Sequence, residues 1–388
     1  MSVKKILIFN DSMKSGGTEI LLVDILNYLS KKEFDIVLVL PFRTDDNILL
    51  KDISSRVKIE YLHKKELNGF RKIFFYNVLA FCPGIYAKLK FNLNEFDLIV
   101  SFKDSPYSSV FCRTSRRKIL WVHNLPIKRD YKVRSVKEWF SVALQKMKVK
   151  RYIRSFNKYD NIICVSRISK EKFIEVYNGG KINKGQKIDV LYNALDFNKI
   201  SILADEQINI SAGKCPEFIM VTRYSVEKRL DRVVNAANRL KKEGYSLKIN
   251  IWGEGPYFPY IEKLVSDHSA QDVIDLKGYT ANPYPYIKQA DWLLCSSERE
   301  SFGLVLLESI YLKTPVITTD CGGPGEIIDG GKYGVLTENT ENGVYNGLKK
   351  VLDNPELSEL YITKSDECIK RFDYNDWLVS IDKLFNAD

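Results

Sequence analysis

The chain has 388 residues, 45% hydrophobic and 28% charged, proportions that exclude a disordered or fibrous protein. That length exceeds what one hydrophobic core usually serves, so two domains of roughly 150–200 residues are expected. The formal charge of +10 is unevenly spread: residues 1–190 carry +18 and the remainder −8. Within the first half, residues 113–158 hold 15 Lys and Arg against Asp130 and Glu138 alone. The two halves therefore face different partners, and the basic one suits an anionic surface, unless it is only a solvated basic face.

In chain order, Ile6–Phe9 is the first apolar run, too short for a signal peptide, and reads as a buried strand. Ile36–Leu40, Leu98–Phe102, Ile119–Val122, Ile162–Val165 and Val190–Leu191 follow as further strands. Helical spacing lies between them at 20–29, 134–156 and 168–177. In the segment 134–156, Val136, Trp139, Phe140, Ala143, Leu144 and Met147 fall on one stripe with cations opposite. The greasy stretch Ile73–Ala87 is interrupted by Asn77 and Pro83-Gly84 and is too short to span a bilayer. Continuous apolar strands alternating with helices mark a parallel sheet covered on both faces.

The pattern lapses over Asn193–Cys215 and then restarts. Strands are predicted at Phe218–Thr222, Leu247–Trp252, Val273–Leu276, Trp292–Cys295 and Val316–Thr318. Helices are predicted at Leu230–Lys242, Tyr257–Ser266, Leu304–Leu312 and from Glu341 to about Leu352, with a last one at about Tyr374–Phe385. The fold class is α/β, with two Rossmann-like domains in tandem, residues 1–195 and 196–370. Ligands are expected at the carboxyl ends of the strands, in a cleft that the domains face. The seven cysteines are scattered and odd in number, which suits free, mostly buried thiols rather than a disulfide or zinc framework.

The strongest chemical signal is Ser297-Glu298-Arg299-Glu300-Ser301-Phe302-Gly303-Leu304-Val305-Leu306-Leu307-Glu308. A strand ends, a polar loop follows, and a helix begins near Phe302, so free N–H groups at its start favour a diphosphate. Glu300 can accept hydrogen bonds from sugar hydroxyls. Glu308, about two turns into the helix, can reach a ribose. The plain alternatives are a helix-capping Glu300 and a surface Glu308. A second strand–loop–helix carries Arg223 and Lys228, two cations able to converge on the same diphosphate. Gly16-Gly17-Thr18-Glu19 and Gly253-Glu254-Gly255-Pro256 are permissive loops after strands, although turn geometry alone also explains such glycines. His123 ends a strand and faces either the cleft or the core. There is no Asp-x-Asp metal clamp, P-loop, G-x-G-x-x-G or G-x-S-x-G anywhere in the chain.

Gly16-Gly17-Thr18-Glu19, His123, Val165-Ser166-Arg167, Asn193-Ala194-Leu195-Asp196, Arg223 with Lys228, Gly253-Glu254-Gly255-Pro256, and Glu300-Ser301-Phe302-Gly303 with Glu308 occur in one order. That series resembles the retaining glycosyltransferases of family 4, which have the GT-B fold. The resemblance implies a metal-independent, cofactor-free transfer from a nucleotide-diphosphate sugar, with a UDP-sugar preferred, that keeps the anomeric configuration. By it, Glu300 contacts the transferred sugar and Glu308 the ribose. Arg223 and Lys228 bind the diphosphate, Gly16 and Gly17 line the donor pocket, and His123 lies near the sugar. The donor set also takes in Gly253, Glu254, Ser301, Phe302, Gly303 and Leu304. The helix of residues 371–388 is expected to cross back onto the first domain. Two positions depart from the family pattern: its usual glycine before the arginine is Thr222, and the one after the lysine is Arg229, which threatens to crowd the loop.

The implied acceptor is a saccharide or a lipid-linked intermediate of surface polysaccharide synthesis, which would place the enzyme in the cytoplasm, peripheral on the inner face of the membrane. The basic stretch 113–158 and the aromatic-rich 69–91 segment fit such an anionic lipid surface. Competing readings are an epimerase or inverting transferase on the same fold, a sugar-nucleotide binder without activity, and a basic nucleic-acid-binding protein. No nucleic-acid module is visible, so nucleic acid is not expected as a partner.

Overall fold

The computed structural model describes residues 3–14, 16–126, 136–177, 179–208 and 215–387. The chain forms two compact units, residues 1–192 with 377–388, and residues 193–376. Patterning of the sequence alone places the divisions after residues 195 and 370. No helix among the described residues is long and apolar enough to cross a membrane.

Unit 1 contains β1 (Lys4–Phe9), α1 (Gly17–Leu29), β2 (Phe34–Phe42), β3 (Lys58–His63), α2 (Gly69–Phe81), α3 (Pro83–Lys90), β4 (Leu98–Ser101), α4 (Ser108–Phe111), β5 (Arg117–Val122), α5 (Val136–Phe156), β6 (Asn161–Cys164), α6 (Arg167–Tyr177) and β7 (Lys187–Val190). All seven strands are parallel, in the order β3-β2-β1-β4-β5-β6-β7. The central strands are apolar on both faces because helices cover both. On one side Leu7, Phe9, Val39 and Ile99 pack with Phe75 and Leu79 of α2 and Phe111 of α4. Leu120, Val122, Ile162 and Cys164 continue that layer against Phe156 and Phe173. The predicted list omitted β3, an edge strand whose Lys-Ile-Glu-Tyr-Leu-His alternation is half polar. Residues 127–135 of the basic stretch, with the first two of the predicted helix 134–156, lie outside the described residues.

Unit 2 contains α7 (Phe197–Ala204), β8 (Glu217–Val221), α8 (Leu230–Lys242), β9 (Lys248–Trp252), α9 (Phe258–Asp267), β10 (Ile274–Gly278), α10 (Tyr284–Gln289), β11 (Trp292–Cys295), α11 (Leu304–Tyr311), β12 (Val316–Thr319), α12 (Gly323–Ile327), β13 (Val335–Thr337), α13 (Glu341–Asp353) and α14 (Leu357–Ile369). Its six-stranded sheet runs β10-β9-β8-β11-β12-β13, also parallel. Helix α8 shows how local chemistry sets the elements. Leu230, Val233, Val234, Ala237 and Leu240 are buried against the sheet. Asp231 opens the helix and Arg239, Lys241 and Lys242 close it, matching its dipole. Gly244, at φ 89°, turns the chain out of it. In the stretch where periodicity lapsed, Asp196 caps α7 by accepting the amides of Asn198 and Lys199 at 3.1 and 3.3 Å.

The last helix, α15 (Tyr374–Asn386), begins in unit 2 and ends in unit 1. It buries Trp377, Ile381 and Phe385. Lys4 Nζ donates to the Phe385 carbonyl at 2.8 Å, and Arg117 to the Leu384 carbonyl at 2.9 Å. Asp382 accepts from the Tyr28 hydroxyl and from Lys32.

Candidate active site

The predicted donor residues of unit 2 meet at the carboxyl ends of β8, β9 and β11. The turn after β8 holds Arg223 and a 3-10 segment Val226–Lys228, and the loop after β11 runs from Ser296 to Gly303. Backbone bonds stitch the two. Glu298 N–H donates to the Glu227 carbonyl at 2.8 Å, and Ser296 Oγ to the Lys228 carbonyl at 2.8 Å. Across this seam Lys228 Nζ and a Glu300 carboxylate oxygen form a salt bridge, with both side chains about one quarter exposed (23% and 24%). Burial alone would pull the Lys228 ammonium down, but the facing Glu300 carboxylate more than offsets it and the net shift is upward. Lys228 is therefore a fixed positive charge rather than a base.

Arg223 is exposed on the same turn, and both cations act on Glu227. Burial pushes the Glu227 carboxyl up, yet the Ser225 hydroxyl donating at 2.7 Å and those cations hold it below the usual range.

The loop after β12 closes the third side. Glu300 N–H donates to the Cys321 carbonyl and Gly323 N–H to the Glu300 carbonyl, each at 2.9 Å. The approach is so close that a Cβ on Gly323 would lie 2.3 Å from the Ser301 carbonyl oxygen. Gly303, at φ 98°, makes the left-handed turn into α11. Ser301, Phe302 and Leu304 thus occupy the start of a helix, where outward-facing N–H groups attract an anion. Phe302 itself is buried. Glu308 lies farther along α11, partly buried, with the Tyr284 hydroxyl 3.4 Å from Oε1. Burial raises its carboxyl from 4.5 to about 7.

Gly253 and Gly255 have a structural reason for being glycine. A Cβ on Gly253 would sit 1.8 Å from the Thr222 carbonyl oxygen, and one on Gly255 2.4 Å from that of Tyr224. The Glu254 carbonyl accepts the Tyr224 amide at 2.9 Å, while its side chain is exposed.

The same geometry accounts for the two departures. Thr222 is not among the residues with positive φ, so the tight crossing is met by Gly253 opposite it. Arg229 does lie in the left-handed region, at φ 49° and ψ 42°, where a glycine would rest without strain. Its guanidinium is engaged by the Asp231 carboxylate at 2.8 Å.

In unit 1, Gly16 and Gly17 lead into α1 at the carboxyl end of β1, and His123 follows β5. Gly16 is extended (φ −177°), and a Cβ there would meet Glu19 Oε2 at 2.5 Å. Glu19 is buried and pairs with Lys103 at 3.2 Å. His123 packs on the Phe102 ring (centroids 4.6 Å apart) and parallel to Trp121 at 6.1 Å. Burial, assisted by Lys103, lowers its imidazole to about 3, so it is neutral at ordinary pH, and its Nε2 finds no hydrogen-bond partner among the described residues.

Several site residues carried no signal in the sequence. Asp104 accepts from Asn124 Nδ2 at 3.0 Å and from its amide at 3.4 Å, holding the turn that presents His123. Asn339 donates to the Glu298 carbonyl at 2.7 Å and accepts from Arg232 at 2.6 Å, bracing the β11 loop. Only Gly322-Gly323-Pro324-Gly325 could have been found, because a glycine cluster after a strand signals close backbone approach.

Two parallel Rossmann-like sheets, with a cation–carboxylate site over the strand ends of the second, define a GT-B glycosyltransferase. A model of the group 1 glycosyl transferases matches residues 202–367, and one of glycosyltransferase family 4 matches residues 15–199. The chain carries both glycosyltransferase domains and belongs with these glycosyltransferases.

Among its relatives is a Campylobacter jejuni enzyme named as N-acetylgalactosamine-N,N'-diacetylbacillosaminyl-diphospho-undecaprenol 4-alpha-N-acetylgalactosaminyltransferase. It is 27% identical over 373 residues, 96% of each chain. A poly(ribitol-phosphate) alpha-N-acetylglucosaminyltransferase of Staphylococcus aureus is 25% identical over 60% of this chain and 49% of its own. HepE from Anabaena, solved with UDP and glucose, shares the fold with a TM-score of 0.74 at 16% identity, covering 99% of this chain and 100% of its own.

Proposed function

We propose that this protein moves a sugar from a UDP-sugar to a saccharide carried on a lipid diphosphate, with retention at the anomeric carbon and no metal ion. The observation that carries this reading is the Lys228–Glu300 pair, held where three strand-end loops meet, with Arg223 on the turn that carries Lys228 and Glu308 in the helix that follows the Glu300 loop. The bond from the sugar's anomeric carbon to the diphosphate oxygen breaks, and one to the acceptor oxygen forms. The acceptor's proton leaves with the diphosphate. Negative charge grows on the leaving group, where Lys228, Arg223 and the N–H groups opening α11 stabilise it without a cation from solution. Glu300 orients the sugar through its hydroxyls and Glu308 the ribose. His123, Gly16 and Gly17 are assigned to the donor by the resemblance alone.

The Campylobacter relative, named for an undecaprenol-diphosphate acceptor, supports the lipid-linked acceptor and a place at the inner membrane face. The UDP-bound HepE supports the choice of base. A thermal-shift screen of nucleoside diphosphates should single out UDP, with the shift unchanged by EDTA. The anomeric proton coupling of the product then reads the stereochemistry. A shift for GDP alone, a requirement for Mg²⁺, or an inverted product would each sink its part of the proposal.

A further inference from the structure

The apolar stripe of α5 does not face the core. Phe140 is 65% and Trp139 56% exposed, their rings edge to face at 5.0 Å, and Leu144 and Met147 are exposed too. The helix instead buries Phe156 near its end, with Tyr152 packed alongside. Helix α2 behaves the same way: Phe75 and Leu79 are buried, but Phe70 is 90% and Phe74 71% exposed, with Ile73 beside them.

These side chains form one face, because α2 and α5 pack together. Both follow strands of a parallel sheet and run back from its carboxyl edge, so they point the same way. The Arg151 guanidinium over the Phe81 ring, at 5.2 Å, fixes their register. Phe70 and Phe140 each precede that contact by eleven residues, and Phe74 and Leu144 by seven, so the rings lie at matching heights. The same helices carry exposed Arg71, Lys72, Lys146, Lys150, Arg151 and Arg154, against Glu138 and the nearby Glu66, which pairs with Lys72. Not all of the basic stretch is available: Lys118 is buried on Asp160, and Arg117 is tied to α15.

We propose that α2 and α5 are a membrane-docking face, inserting Phe70, Phe74, Trp139 and Phe140 among the acyl chains of an anionic bilayer while their cations meet the headgroups. Apolar rings rimmed by cations of one sign are the signature of an interfacial surface. A second copy of the chain fits poorly, since it would press six cations against six. The inserted rings lie at the carboxyl-edge end of the sheet, the end that also carries Gly16 and His123. The inference rests on the proposed lipid-linked acceptor for its purpose.

Flotation with phosphatidylcholine vesicles, with and without about 30 mol % phosphatidylglycerol, tests it. The protein should float with the anionic vesicles at least tenfold better than with the neutral ones. Combined Phe70→Ser, Phe74→Ser, Trp139→Ser and Phe140→Ser should abolish flotation while leaving cooperative unfolding and the UDP thermal shift unchanged. The Trp139 contribution to emission, obtained by difference from Trp139→Phe, should be quenched by lipids brominated in the acyl chains. Flotation that survives the fourfold change, or Trp139 emission indifferent to brominated lipid, overturns the docking face. So does a dimer in sedimentation that the fourfold change dissolves, with no vesicle binding. Loss of the UDP shift in the unaltered chain would instead refute the donor site, and the two failures are separable.

Discussion

Glu308 makes the proposed donor site sensitive to pH, in the direction that its burial sets. Its carboxyl stands at about 7 against an ordinary 4.5, because burial disfavours the charge and the Tyr284 hydroxyl at 3.4 Å returns only part of it. At ~1.4 kcal/mol per pH unit, that gap places an upper bound of ~3.5 kcal/mol on the penalty borne by the ionised form. Between pH 4.5 and 7 the folded chain holds a proton that the unfolded chain has shed. Stability therefore falls as pH rises through that window and levels off above it.

In the proposed complex a ribose donates hydroxyl hydrogens to this carboxylate and reverses the balance, so binding of UDP is expected to expel the proton. Affinity should rise about tenfold per pH unit between pH 5 and 7, then flatten. Titration calorimetry at pH 6, in two buffers of different ionisation enthalpy, should show close to one proton released. Glu308→Gln should weaken UDP binding at pH 8, raise the Tm there, and remove the pH slope. No proton release at pH 6, or an undiminished slope in the glutamine variant, would refute the assignment.

Four other outcomes are expected. Lys228→Ala and Glu300→Ala should each lower kcat by about 10²–10³-fold with folding intact by circular dichroism, in line with loss of one charge-stabilising contact; unchanged rates in both would mean the site is elsewhere. His123, neutral above about pH 3, should leave no inflection near pH 6.5 in the kcat profile, and an inflection that disappears in His123→Ala would contradict its burial. Gly323→Ala should cost ~1–3 kcal/mol in denaturant unfolding, because its Cβ meets the Ser301 backbone. Arg229→Gly removes left-handed strain of roughly 1–2 kcal/mol but loses the Asp231 pair and adds unfolded-state entropy, so its net effect should stay within about 1 kcal/mol. A larger loss in a melting experiment would give the guanidinium a role that its geometry does not suggest.

The sheets are legible because their central strands are apolar on both faces, as at Trp292–Cys295, where the run and the strand coincide. What escaped was structure decided by partners distant in sequence. Strand β3 is recognisable only from its pairing with β2, and α7 from its packing on α10 and on the Tyr311 ring of α11. Glu300 and Lys228 could be found because a loop–helix junction and a nearby cation are local features. Asn339 and Asp104 could not, since each acts through a backbone brought near by the fold. The spacing of α5 groups its apolar residues on one stripe with the cations opposite, whereas Lys150, Arg151 and Arg154 are exposed on the same side of the helix as Phe140 and Met147. Periodicity says which residues share a side of a helix, but only packing decides whether that side meets the core or the outside.

The tie between Lys4 and Phe385 spans 381 residues of chain. At about 5–20 residues per second, a ribosome delivers the second of these groups ~20–75 s after the first. Throughout that interval the edge of the opening sheet waits for its closing helix while all of unit 2 is synthesised and free to fold. A stop codon near the end would therefore injure the half of the molecule made first.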